Sequence, residues 1–351
     1  MSSPKSPLVE DAPTSTFDLK DLRSTSLIEK LVRRLFGPTF FALLRRFCPI
    51  FKIPFKNFVI VTRFDDVQEV LGHDEAFPVP FGDKVKELDG GPNFLLGIKQ
   101  PSAEYWRYQR QVMRAFKHLS ETVGPMAARF SEEIIERSRG RLDAVQELIT
   151  RVPILICESY YGVPIAEHER VDFGHWTIAM STYMFGDPNN KPAYRRAGVA
   201  AGDRVRGRIG RAIADAKEKG ARPNTVLARM LEMQHGADSD LTDEDIRTIL
   251  IGMITGFVPT NTMAAGHMLE MLLRRPDFLT PTRDAAIASD DDLLKRCLFE
   301  AMRFMPLNPG PFRICIQDYT VAEGTPRAKT IRAGTNVLAG TQSAMFCHRV
   351  G

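Results

Sequence analysis

Apolar side chains recur every three or four residues along most of the chain, which is the spacing of helices that bury one face. The segments with this spacing, separated by Gly or Pro, are residues 102–118, 121–139, 142–161, 166–185, 192–219, 224–235 and 291–304. Period-two runs are short: residues 58–62 predict a strand, and residues 330–337 predict a strand, a turn and a second strand. Asp65 is predicted to cap a helix that runs to Leu71, and the prolines and glycines of residues 77–93 predict a long loop. The pattern predicts a mainly α protein with small β-sheets.

The longest predicted helix covers residues 241–276 and is nearly uncharged. Thr242 and Asp245 have the spacing of a capping box at its start, and Pro276 ends it. Residues 248–266 carry no ionisable side chain, and apolar residues cover nearly every face. We therefore expect this helix to be buried all round, at the centre of the fold.

The middle of this helix departs from regular geometry. Pro259 has no N–H and pushes against the carbonyl of Thr255, so we expect a kink or an opening there. Gly252 and Gly256 lie one and two turns earlier on nearly the same face and leave room against the helix. A large flat ligand suits that place, and a kinked core helix without a ligand explains the sequence equally well. A membrane span is the third reading, which the Thr, Asn, Gly and Pro residues disfavour.

Composition and charge narrow the class of protein. The 351 residues are 44% hydrophobic and 26% charged, as in soluble globular proteins, and the net charge of +4 is too small to indicate a nucleic-acid partner. The cysteines are odd in number and form no CxxC pair, which favours free thiols in the reducing cytoplasm and gives no zinc site (Cys48, Cys157, Cys297, Cys315 and Cys347). Residues 1–25 are predicted to be a disordered lead without a signal peptide, and residues 26–351 a single domain.

Two basic segments offer candidate surfaces. Residues 26–56 mix Lys and Arg with Leu and Phe, which suits either a membrane surface or, as we favour, packing against the domain. In the helix of residues 102–118, Trp106 and Arg110 lie four apart and share one face. A cationic helix face is usually just solvated, but Trp beside Arg also suits an anionic, partly apolar ligand.

Glu300 and Arg303 are spaced as an (i, i+3) ion pair, which is a weak signal alone. Their context is more specific, because they follow the long helix and precede a proline-rich run, Arg313 and the strand pair of residues 330–337. In this order the chain resembles the cytochromes P450, of the soluble bacterial type, over roughly residues 50–351. Trp106-x-x-x-Arg110 stands where the family has its C helix, the glycine-bearing helix resembles the I helix, and Glu300-x-x-Arg303 resembles the K-helix ExxR motif.

The resemblance implies a haem-thiolate oxidoreductase, of the monooxygenase type or a variant that uses peroxide or hydroperoxide. Its substrate would be a small apolar organic molecule or a hydroperoxide, and a redox partner is an option of the family. It implies that Trp106, Arg110 and Arg313 meet the haem propionates. Glu300 and Arg303 would then be structural, and we expect a buried or half-buried ion pair that anchors their helix. Residues 331–335 resemble the family's β-hairpin.

The I-helix motif departs from the family, which has an acid and an alcohol where this chain has Val258 and Pro259. Gly256 stays as a candidate at the oxygen and substrate pocket, and Thr260 is displaced by one position, about 100° around a helix. Because neither Val258 nor Pro259 can pass on a proton, the sequence favours peroxide or hydroperoxide as oxidant over dioxygen.

The haem-binding loop is the second departure. The family pattern Phe-x-x-Gly-x-x-x-Cys-x-Gly does not occur, and Cys347 lacks the surrounding glycines and follows the strand pair too closely to be assigned as the iron ligand. We therefore expect a P450-like chain that is truncated at its carboxyl end. The alternative is a helical binding protein that has no haem. No metal ligand is assigned.

Overall fold

The computed structural model describes residues 38–347, except residues 101, 118–119, 189 and 237–240. The predicted lead of residues 1–25 and the first part of the basic segment of residues 26–56 lie outside that part of the chain. The described residues are mainly helical, as predicted. The helices are α1 Pro38–Phe47, α2 Phe64–Gly72, α3 Gly82–Asp89, α4 Ala103–Phe116, α5 Val123–Arg137, α6 Arg151–Ser159, α7 Arg170–Phe185, α8 Pro192–Lys219, α9 Val226–Gln234, α10 Asp243–Leu273, α11 Pro276–Ile287, α12 Asp291–Phe304 and α13 Thr341–Ala344.

The central helix is α10, and its start is as predicted. The Thr242 hydroxyl accepts a hydrogen bond from the Asp245 backbone N–H at 3.1 Å, and the Asp245 carboxylate accepts one from the Thr242 N–H at 2.9 Å. The helix continues through Pro259 without a break and ends at Leu273, three residues before the predicted end. Pro276 opens α11 instead, because proline is well tolerated in the first turn of a helix.

The expectation that this helix is buried all round is wrong. It packs against α6, α7, α8 and α12, and Ile249, Ile254 and Val258 are completely buried there. Thr260 and Asn261 are exposed at its middle. Composition shows that a helix is apolar, but not which of its sides the neighbouring elements cover.

The strands form two small sheets. They are β1 Ile50–Lys52, β2 Phe58–Val61, β3 Phe312–Ile314, β4 Tyr319–Val321, β5 Lys329–Ile331 and β6 Asn336–Ala339. The larger sheet has the order β1-β2-β6-β3, with β2 parallel to β6, and β4 pairs with β5. The hairpin expected within residues 330–337 is therefore wrong: the strands and the turn exist, but β5 and β6 belong to different sheets. Alternation predicts strands and not their partners.

Two local predictions in the amino-terminal part also fail. Residues 77–93 contain α3. Its Val85 and Leu88, three residues apart, are buried. Gly90 follows the last helical residue with a φ of +74°, as is common after helix ends. A single pair of apolar residues one helical turn apart is too weak a periodic pattern to predict a helix among prolines and glycines. Helix α2 starts at Phe64, and Asp65 lies inside its first turn, where no side chain caps the helix.

Helix α1 is packed against the domain, as favoured for the basic segment. Leu44 is buried, and Arg45 Nη1 donates to the Ser343 carbonyl at 2.7 Å. This contact joins α1 to α13, almost three hundred positions later in the chain.

Candidate functional site

A cavity of about 780 Å³ lies between α3, the end of α7 and β3. Its apolar lining includes Phe81, Leu95, Ile98, Met184, Phe185, Pro311 and Phe312, and its charged lining includes Asp74, Lys84, Lys99, Asp187 and Arg313. This volume and this mixture, mostly apolar walls with a few polar groups, are typical of a site for a small organic molecule.

Arg313 lies in β3, opposite Val337 of β6, and lines this cavity. Its Nη1 donates to the Phe312 carbonyl at 3.0 Å, and its Nε is buried without a hydrogen-bond partner among the described residues. Burial lowers the pKa of the guanidinium, and the negative charge of Asp74 opposes that shift. A partly desolvated guanidinium with an unpaired N–H is suited to a carboxylate ligand.

Trp106 and Arg110 lie on the exposed face of α4, whose start is capped by the Ser102 hydroxyl. Trp106 is 46% exposed. Neither residue lines the cavity of Arg313, although Tyr105, in edge-to-face contact with Trp106, does. The structure thus does not bring all three predicted propionate partners to one cavity, and their shared role stays a prediction.

The orientation of α4 is fixed by Asp245 at the start of α10. The Tyr108 hydroxyl donates to Asp245 Oδ1 at 2.8 Å, and Arg107 Nη2 donates to the same oxygen at 3.1 Å. Burial disfavours the charge of Asp245, but the hydrogen bonds that it accepts prevail and lower its pKa. Burial and this carboxylate raise the pKa of Tyr108. The capping role of Asp245 is predictable from its spacing to Thr242, whereas this second role is not, because its partners lie about 137 positions away in the chain.

The two glycines of α10 have different surroundings. A side chain at Gly252 would collide with the ring of Phe94, so the room that the sequence predicts there is already filled. At Gly256 nothing lies within 4 Å of an added Cβ. Thr260, one turn later, is exposed on that side, whereas Val258 and Pro259 are buried. Gly256 and Thr260 therefore form an open face on a helix that is otherwise largely covered.

Glu300 and Arg303 form the predicted ion pair. Arg303 Nε donates to Glu300 Oε2 at 2.7 Å and Nη2 donates to Oε1 at 2.5 Å, and the guanidinium lies 4.5 Å from the ring centroids of Phe304 and Phe346. The pair lowers the pKa of Glu300 and raises that of Arg303. Their side chains are 42% and 30% exposed, so the pair is half-buried, and we expect about 1 kcal/mol from it rather than the larger value of a buried pair.

The cysteines supply no evident metal ligand. All five are free, and the described residues contain no group of three His, Cys, Asp or Glu side chains able to hold a metal ion. Burial raises the pKa of the Cys157 and Cys315 thiols, which favours their protonated form. Cys347 is half-buried, beyond α13.

The model of the cytochrome P450 family matches residues 38–345. The chain belongs to the cytochrome P450 family. Mycinamicin IV hydroxylase/epoxidase of Micromonospora griseorubida is 25% identical over 292 residues, which cover 81% of this chain and 68% of that protein. The structure of CalO2 has a TM-score of 0.70 at 22% identity, covering 93% of this chain and 79% of CalO2. The structure of CYP109E1 of Bacillus megaterium, in complex with testosterone, has a TM-score of 0.67 at 19% identity. The match covers 88% of this chain and 76% of CYP109E1.

Members of this family use haem, and part of the site fits that group. Arg313 lines the cavity with a buried N–H that has no partner among the described residues, which suits a haem propionate, whereas Arg110 lies on the exposed face of α4 outside that cavity. The iron side differs, because no cysteine stands in the family pattern Phe-x-x-Gly-x-x-x-Cys-x-Gly.

One helix of the described residues, α10, is long and apolar enough to cross a membrane. Half of its most apolar stretch is buried inside the protein, and a core helix of a soluble protein passes the same test.

Proposed function

We propose that this chain forms the substrate-facing and propionate-facing part of a haem-dependent oxidoreductase that acts on a small apolar organic substrate in the cytoplasm. The observation that carries the proposal is Arg313, whose buried Nε has no hydrogen-bond partner among the described residues and which lines a cavity of about 780 Å³. Family membership makes a haem carboxylate its natural partner.

Each named residue has a distinct role in this proposal. When bound, haem supplies the electron and oxygen chemistry, and the protein supplies binding, orientation and exclusion of water. Arg313 and Arg110 pair with the propionates, and Trp106 covers the cofactor edge beside Arg110. Gly256 leaves space on α10 for the substrate, and Thr260 presents its hydroxyl on that face.

We propose peroxide or an organic hydroperoxide as the preferred oxidant. Val258 and Pro259 are buried and carry no exchangeable proton in their side chains. General acid assistance contributes about 10²–10⁴ in rate, so its absence favours an oxidant that already carries its protons. Reduction by a redox partner with dioxygen is the other route open to the family.

The test compares turnover of one apolar substrate with hydrogen peroxide and with dioxygen plus an electron-donor system, in protein supplied with an excess of haem. We expect faster product formation with peroxide. The variant Val258→Asp supplies an acid, and we expect it to raise the dioxygen-driven rate relative to the peroxide-driven rate, with Val258→Asn as the uncharged control. Efficient, tightly coupled turnover of the wild type with dioxygen and the electron-donor system, and none with hydrogen peroxide, contradicts the assignment of the oxidant.

A further inference from the structure

Asp187 is a charged residue inside the cavity that no family motif explains. It follows α7 directly, lines the cavity and is 2% exposed. Its Oδ2 accepts a hydrogen bond from the Lys191 backbone N–H at 2.7 Å. Its Oδ1 is buried and has no hydrogen-bond partner among the described residues. A buried acceptor without a donor is costly, so a ligand that brings a donor to it gains affinity.

The charge of this carboxylate is already compensated. Lys84 Nζ lies 4.0 Å from Asp187 Oδ2, and the same ammonium donates to the carbonyls of Tyr183 at 3.1 Å and Asp187 at 2.6 Å. Burial lowers the pKa of Lys84, and the charge of Asp187 opposes that shift. A second cation at Oδ1 would be repelled by this ammonium, whereas a neutral O–H donor would not.

Apolar side chains also line the cavity that contains Asp187. Phe81 and Phe185 are in edge-to-face contact at 5.0 Å between ring centroids, and Met184 and Leu95 continue the same lining. Arg313 also lines the cavity, from β3, and its unpaired N–H requires an acceptor. The two unpaired polar atoms of the cavity therefore need opposite partners.

We propose that Asp187 Oδ1 accepts a hydrogen bond from a hydroxyl group of the substrate, so that the substrate is an apolar molecule that carries a free hydroxyl. This inference rests on the proposed function for the identity of the cavity as the substrate site. The hydroxyl selects the orientation of the molecule, with Asp187 and Arg313 contacting different groups.

The experiment measures binding by calorimetry, without turnover, using cyclododecanol, cyclododecanone and cyclododecylamine. The three molecules share one apolar ring and differ in a single polar group: a neutral donor, an acceptor and a cation. We expect the wild type to bind the alcohol about tenfold more tightly than the ketone, the equivalent of one satisfied hydrogen bond, and more tightly than the amine.

The decisive variant is Asp187→Asn. Its side-chain oxygen can keep the bond to the Lys191 N–H, and its NH₂ group then replaces Oδ1 and donates instead of accepting. We expect the preference to invert in favour of the ketone, with the apolar contribution to affinity retained. Asp172→Asn, exposed in the first turn of the same α7, is the matched control and should keep the wild-type preference.

The outcomes separate this inference from the proposed function. Equal affinities for alcohol and ketone, tighter binding of the amine, no binding of any of the three, or an unchanged preference in Asp187→Asn each overturn it, even if the haem-loaded protein turns over. An inverting preference supports this inference even if no oxidant gives turnover, and that combination contradicts only the proposed oxidoreductase.

Discussion

At the residue scale, Asp89 is the most unusual acid of the described chain. It ends α3, is 1% exposed, and its Oδ2 has no hydrogen-bond partner among the described residues. Burial raises its pKa from the ordinary 3.8 to about 8, although the charges of Arg206 and Arg247 oppose the shift. At neutral pH the folded protein therefore holds a proton on Asp89 that the unfolded chain has released.

The consequence is a loss of stability as the pH rises. Between pH 4 and pH 8 the folded state binds more protons at this site than the unfolded state, so the free energy of unfolding falls over that interval. Asp89→Asn keeps the shape of the neutral acid and does not titrate. Relative to the wild type, we expect the free energy of unfolding of this variant to increase by on the order of a few kcal/mol between pH 5 and pH 8.5. Urea unfolding at a series of pH values measures this difference.

Asp83→Asn is the matched control, since Asp83 is exposed on the same helix. It should follow the wild type at every pH. Parallel stability curves for Asp89→Asn and the wild type would contradict the neutral state of Asp89.

At the scale of elements, the central helix shows that one sequence feature can have two structural meanings. Gly252 and Gly256 are chemically identical and one turn apart, yet Phe94 fills the space at the first and nothing fills it at the second. We expect Gly252→Ala to destabilise the protein by about 1–3 kcal/mol through overpacking. We expect Gly256→Ala to stabilise it by about 0.5–1 kcal/mol, because alanine favours the helix.

Urea unfolding of the two variants tests this difference, and Phe94→Leu supplies the control. If the ring of Phe94 causes the clash, the double variant with Gly252→Ala should recover part of the loss. A destabilised Gly256→Ala would mean that the open face is covered in solution.

The elements also show what a sequence can and cannot predict. Helices α8 and α12 have the predicted bounds. A proline marks the start of α8 and acidic residues mark the start of α12, and apolar residues recur at helical spacing over several turns of each. The partners of β5 and β6, and the cavity residues Lys84 and Asp187, were not predictable in the same way. These contacts join residues about a hundred positions apart or depend on register, and local patterns carry no information on either.

At the scale of the whole molecule, the family motifs were recognisable because their order and spacing survive where single motifs are weak. Trp106, Arg110, Arg313 and the Glu300–Arg303 pair stand in the family order over the matched residues 38–345. The role that we propose for Trp106, Arg110 and Arg313 in holding a cofactor depends on long-range geometry, and the structure places Arg313 at the cavity but Trp106 and Arg110 on an exposed helix face. Haem binding is therefore the measurement that tests whether these residues act on one cofactor.

We expect the 351-residue chain to bind haem weakly or not at all, because no cysteine stands in the family's ligand pattern and the thiols of Cys157 and Cys315 favour their protonated form. Titration with haem, followed by reduction and addition of CO, should give no thiolate-type Soret band. Any residual affinity should depend on the propionates, so Arg313→Gln should lower it about ten- to hundredfold by removing charge-assisted hydrogen bonds. Arg283→Gln, exposed on α11, should leave it unchanged. A clear thiolate-type band would instead identify one of the five cysteines as the ligand, and Ser variants of each would then show which one.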